Sequence, residues 1–143
     1  MGLEQALDRS PTGERPRFDL ARGVLVGGRC AQCATAVWPS RAVCHHCGGW
    51  DVREAPFART ARLLTFTDVH VPRPGVEVPY TLGQVAVDES GPLLFGRVRG
   101  PVPEVAELPC PVRIVVRPAK DGTGTYWFEP ATAVPEEARG RGG

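Results

Sequence analysis

A chain of 143 residues and 15.4 kDa is one domain's worth of polypeptide, or two very small ones, and at this size about two-thirds of the unfolded surface can be buried. Lys+Arg 17 against Asp+Glu 16 leaves a formal charge of +1, which excludes a protein that holds polyanions by bulk charge. Every base but Lys120 is an arginine, so individual bidentate anion sites stay open.

In chain order, the head, residues 1–17, is polar and punctuated by Pro11, Gly13 and Pro16, with a short helix expected over residues 3–8. It lacks the basic-then-apolar pattern of a signal peptide, and no apolar run in the chain reaches the length of a membrane span. A soluble, cytoplasmic protein is therefore expected. Residues 28–50 hold four of the five cysteines and two of the three tryptophans. Residues 57–131 hold only Cys110 and carry five β-type segments, 61–70, 80–88, 92–99, 112–117 and 125–129. Each is short, rich in Val, Leu, Ile, Thr or aromatics, and bounded by Pro, Gly or Asp. Alternation is clearest where Val112, Ile114 and Val116 share one face and Arg113 and Arg117 the other. Residues 103–107 supply one helical turn before the fourth strand. Five strands with a short helix after the third is the order of an oligonucleotide/oligosaccharide-binding (OB) barrel. The tail, rich in Glu, Arg and Gly, is expected to be flexible.

Cys30-Ala31-Gln32-Cys33, ten residues, then Cys44-His45-His46-Cys47 is the strongest chemical signal. Two CxxC knuckles let four thiolates converge on one tetrahedral ion, and zinc suits an all-sulfur tetrahedron. With every position taken by sulfur, no site stays open for substrate, so the expected ion is one structural Zn²⁺ per chain. Iron in a rubredoxin-like site and disulfides are the competing readings. His45 and His46 are alternative ligands, though solvent-facing knuckle residues are the simpler reading. Gly48 after Cys47 suits a knuckle turn, and Ala34 at the same place after Cys33 suits it less. Four thiolates and Zn²⁺ carry −2, turning the formal +1 into −1, and Arg29 and Arg41 flank the site. The expected fold is mostly β: an N-terminal segment 1–27 with a short helix, a rubredoxin-like zinc ribbon 28–54, a five-stranded OB-fold barrel 55–132, and a tail 133–143.

No catalytic machinery is legible. Cys110 lies between Pro109 and Pro111 and reads as a small buried hydrophobe, with His70 the only candidate base outside the knuckles. No GxSxG, HExxH, P-loop or dinucleotide fingerprint occurs.

These residues, taken together, resemble the acyl-CoA-associated zinc-ribbon/OB-fold family over residues 29–131. Its ribbon pairs two CxxC motifs around an aromatic-Pro-x-Arg segment, here Trp38-Pro39-Ser40-Arg41. Its barrel opens with a Ser/Thr-rich strand, here Leu64-Thr65-Phe66-Thr67-Asp68-Val69-His70, followed by Pro79-Tyr80-Thr81-Leu82, Leu94-Phe95-Gly96-Arg97-Val98 and Phe128-Glu129-Pro130. One step departs: the family's apolar-Gly-Met-x-Val entry to the fourth strand reads Leu108-Pro109-Cys110-Pro111-Val112, so that turn cannot use a positive φ.

The resemblance implies a non-catalytic accessory subunit of a thiolase-superfamily enzyme (thiolase, aldolase or ketosynthase-like), in a hetero-oligomer, with coenzyme A or acyl-CoA at the partner interface. Arg97, Arg99, Arg113 and Arg117 are then the candidates for contacting coenzyme A phosphates. Trp38 either anchors the partner or staples ribbon to barrel. The alternative function, single-stranded nucleic-acid binding by the OB barrel, needs a basic groove with stacking platforms, for which a near-zero net charge and 7% aromatics are poor material.

Overall fold

The computed structural model describes residues 17–131; the helix expected over residues 3–8 and the tail 133–143 lie outside them. Nine strands fold into a small four-stranded sheet followed by a closed five-stranded barrel.

The first sheet is built on β2 (Val24–Cys30). It pairs with β1 (Phe18–Asp19) and β3 (Ala36–Val37) along one path, and with β4 (Val52–Pro56). The turn into β2 is fixed by the buried Asp19, whose carboxylate accepts the Arg22 N–H at 3.1 Å, and by Gly23 at φ 69°. Val24, Leu25 and Val26 are all buried, so the strand has no solvent face and no alternation to advertise it. Gly27 is required by close approach: a Cβ there would lie 2.6 Å from the Phe57 ring. The strand spans two environments. Leu25 sits in the barrel's core cluster, while Cys30 belongs to a separate cluster with Cys44 and Val52.

The barrel consists of β5 (Thr60–Val69), β6 (Tyr80–Val87), β7 (Leu93–Val98), β8 (Cys110–Pro118) and β9 (Gly124–Pro130), in the order β5-β6-β7-β9-β8. Neighbours are antiparallel except β7 and β9, which close the barrel in parallel at Val98 and Phe128. This is the expected five-strand OB order, and a 3₁₀ turn, Val105–Glu107, stands where the single helical turn is expected. Val112, Ile114 and Val116 all point inward and are buried. Phe128, fully buried, fits because β7 carries Gly96 against its ring, where a Cβ would lie 2.8 Å from it. A bulge between Leu63 and Thr65 bends β5 around the barrel. Leu108, just before the exchanged position, is extended at φ −78°, and the ring of Pro109 holds its own φ at about −65°, so β8 is entered without a left-handed turn.

Two contacts lock the sheet to the barrel. Trp38 packs edge-on against Phe18 (centroids 5.8 Å) and Tyr126 (5.2 Å), and its Nε1–H donates to the Arg17 carbonyl at 3.0 Å. Of the two readings its position allowed, this packing is what the staple requires. On the other side Arg29 reaches from β2 to the β6–β7 turn, donating to the carbonyls of Ala34 (2.8 Å), Ser90 (3.2 Å) and Glu89 (3.4 Å).

Candidate functional site

The four knuckle sulfurs converge, all within 4.8 Å of one another. Cys30 and Cys47 lie 3.6 Å apart and Cys33 and Cys44 3.5 Å apart, close to the edge of about 3.8 Å for a tetrahedron with Zn–S near 2.3 Å. The two knuckles repeat one another bond for bond. Ala34 N–H donates to Cys30 O and Gly48 N–H to Cys44 O, both at 2.9 Å, and the residue after each second cysteine is left-handed (Ala34 φ 65°, Gly48 φ 76°). Alanine thus takes the turn for which glycine is better suited. The N–H groups of Gln32, His46 and Gly49 each point at a sulfur, on Cys30, Cys44 and Cys47, at 3.4 Å.

Without a cation such a cluster is electrostatically frustrated. The Thr35 hydroxyl holds Cys33 down at about 6 from 9.0. At Cys47 the Gly49 N–H also favours the thiolate, but the neighbouring sulfurs of Cys30, Cys33 and Cys44 oppose it and the thiol is pushed up to about 12. A divalent ion removes the conflict by neutralising charge where the thiolates meet. Cys30, Cys33, Cys44 and Cys47 therefore fit a structural zinc in donor type, spacing and number. His45 and His46 stay outside the converging set, with exposed rings. Thr35, which the spacing of the cysteines gives no reason to single out, is a side chain outside the knuckles whose hydroxyl tunes a ligand.

Cys110 opens β8 opposite Leu63 of β5. His70 follows β5 seven residues further on, about 20 Å along the strand, so the two cannot form a nucleophile–base pair. Burial, then the charge of Glu107, pushes the Cys110 thiol up from 9.0, away from reactivity.

The four arginines each meet a different partner. Arg97 lies over the Tyr80 ring at 4.8 Å and Arg99 over Trp127 at 4.2 Å. Arg113 faces Glu129 across the β8–β9 pair at 3.9 Å. Arg117, further along β8, donates to the Val116 carbonyl at 2.9 Å. The aromatic seats of Arg97 and Arg99 come from neighbouring strands, which no spacing within one segment reveals. Between ribbon and barrel lies a groove of about 590 Å³, walled by Thr35, Val37 and Trp38 on one side and by Ser90, Pro92 and Leu93 on the other.

With this geometry, the comparisons with known proteins fall into line. Residues 19–53 match the rubredoxin-like zinc ribbon domain of ChsH2, and residues 54–117 its C-terminal OB-fold domain. A DUF35 domain-containing scaffold protein of Methanocaldococcus jannaschii is 29% identical over 136 residues, covering 90% of this chain and 96% of the relative. A scaffold protein of the same description from Pyrococcus furiosus is 29% identical over 99 residues, 68% of this chain and 71% of the relative. The benzoylsuccinyl-CoA thiolase subunit BbsA of Thauera aromatica is 29% identical over 66 residues, 46% of each chain. Among solved structures, the Ltp2-ChsH2(DUF35) aldolase superposes with a TM-score of 0.64 at 30% identity, covering 78% of this chain and 88% of the other. Two domains matched in sequence order and a solved relative of this coverage lead to one conclusion: the chain belongs to the ChsH2 family of zinc-ribbon/OB-fold proteins.

Proposed function

We propose that this chain is a non-catalytic accessory subunit that docks on a thiolase-superfamily acyl-CoA enzyme and helps shape its acyl-CoA site. One observation carries the reading: the one group among the described residues that could hold a metal ion is a four-sulfur site with no open position, and the lone outside thiol, Cys110, is pushed up rather than down and has no histidine beside it. Supporting it, one relative is named as a thiolase subunit and the solved relative as an aldolase complex. Arg99 and Arg117 are the exposed members of the four candidate arginines, and contacts to coenzyme A phosphates are proposed first for them, with Arg97 and Arg113 behind. No helix among the described residues is long and apolar enough to cross a membrane, and we place the assembly in the cytoplasm as part of the same proposal. Single-strand nucleic-acid binding is the weaker reading, because base stacking needs open ring faces and Arg97 and Arg99 each already occupy one face of Tyr80 and Trp127.

The test is to purify the tagged full-length chain from its host and to assay it alone. A thiolase-type enzyme should co-purify in fixed ratio, and the isolated chain should turn over no acyl-CoA thioester. Turnover by the pure chain that disappears in Cys110→Ala contradicts the proposal.

A further inference from the structure

The outward face of β5, β6 and β7 is unlike the rest of the barrel surface. Register puts Arg62, Ala86 and Leu93 in one row across it, then Thr65, Gln84 and Phe95, then Thr67, Leu82 and Arg97. No aspartate or glutamate stands in these rows. Leu93 is 60% and Phe95 66% exposed, on a strand whose inward residues Leu94 and Val98 are buried. Two large apolar side chains at alternate positions of one strand form a pair of knobs about 7 Å apart, where polar residues would cost the barrel nothing. Arg62 and Arg97 flank them at opposite corners, and neither is paired with a carboxylate among the described residues. Leu93 also forms one lip of the groove between ribbon and barrel, so knobs and groove are continuous.

We infer that this face is the surface through which the chain holds its protein partner, and that the partner presents an apolar hollow for Leu93 and Phe95, bordered by carboxylates that meet Arg62 and Arg97. The assignment rests on the accessory-subunit reading above and adds to it the location and the chemistry of the contact. Charge selects the occupant: a face with two arginines and no acid repels a basic surface and rewards an acidic one. Side-chain type selects protein over nucleic acid, since Leu93 offers no stacking plane, Arg97 already covers Tyr80, and a single open phenyl ring is a poor platform. Arg29 strengthens the case by tying the β6–β7 turn to the ribbon, which keeps the groove beside Leu93 in one shape before the partner arrives.

The experiment uses the zinc-loaded full-length chain and the thiolase-type enzyme that co-purifies with it, separated and re-titrated without coenzyme A. Phe95→Asp is expected to weaken binding by about thirtyfold or more, and Arg62→Glu with Arg97→Glu by about tenfold with a flatter salt dependence. Val105→Asp, on the 3₁₀ turn, is expected to change it less than about threefold. Melting temperature and zinc content should hold in all three, because these side chains are at the surface. Wild-type affinity in Phe95→Asp overturns the surface and leaves the accessory reading standing. A loss confined to Trp50→Asp, at the 78% exposed ribbon tryptophan, overturns it in favour of the ribbon. Failure of any thiolase-type enzyme to co-purify with the wild type overturns both. Tight binding of a 15-nucleotide oligo(dT), abolished in the double arginine variant, overturns the protein assignment and gives the face to nucleic acid.

Discussion

The ribbon and the barrel meet along one strand, β2, yet they are held together by different physics. The ribbon's own core is Cys30, Cys44 and Val52, with Cys33 and Val37 packed against it, which is too little apolar surface to order that much loop. The barrel buries a continuous cluster running from Phe18 and Leu25 through Leu63, Val85 and Val112 to Phe128. Metal coordination supplies what burial cannot in the first, and the second needs no ion. The division is not at the boundary between sheets, however, because Phe18 and Leu25 belong to the small sheet by pairing and to the barrel by packing.

The sharpest way to break the comparison is to remove the metal. Structural zinc is worth on the order of 10 kcal/mol in isolated fingers, so Cys44→Ser or exhaustive chelation should unfold the knuckles while leaving the barrel strands formed; metal analysis beside amide-resolved NMR reads both halves at once. Purified protein without about one equivalent of zinc or iron contradicts the site. The converse change, Phe128→Ala, should cost about 3–5 kcal/mol and lower the barrel's melting temperature while the zinc stays bound. Between them stands Trp38→Ala, which should destabilise the free subunit by about 2–3 kcal/mol because its ring bridges Phe18 of the small sheet and Tyr126 of the barrel while its Nε1–H holds the Arg17 carbonyl; weaker partner binding at unchanged melting temperature would instead make it an interface anchor. Smaller still, Cys110→Ala should cost about 1 kcal/mol or less.

The finest probe is pH. Burial pushes the Tyr126 phenol up from 10.0, and its O–H donates to the Phe95 carbonyl. The folded state therefore holds that proton longer than the unfolded state, so its contribution is complete below pH 10 and is lost as pH rises through the folded value. Alkaline unfolding should steepen above pH 10, and Tyr126→Phe should flatten it.

Much of this architecture is legible in the residues themselves. The five barrel segments are half-buried strands whose alternation is printed in the residues, as at Val112, Ile114 and Val116, and the CxxC pairs specify their own geometry. What stayed hidden is non-local. β2 is not singled out by the residues because it is apolar on both sides and then breaks into Gly27-Gly28, glycines whose purpose is visible only with Phe57 and Val52 beside them. β1 and β3 are two residues long and exist by pairing with β2 rather than by propensity. At the site, the four cysteines could be chosen from spacing alone. The four arginines could not be sorted, since what distinguishes them is a ring or a carboxylate on another strand.

Arg29 has a consequence for how this molecule can change over time. Its guanidinium grips the turn by main-chain oxygens alone, those of Glu89 and Ser90, so the grip reads the path of the turn and ignores its letters. Glu89 and Ser90 both sit at positive φ, 61° and 58°, where glycine or asparagine is more at ease. The turn is therefore free to drift in sequence, and even to gain stability by Ser90→Gly, without releasing the ribbon. The arginine is not free in the same way: lysine offers no planar fork to span three carbonyls. Variation in a lineage of such chains should accumulate at the gripped end of this contact and be scarce at the gripping end.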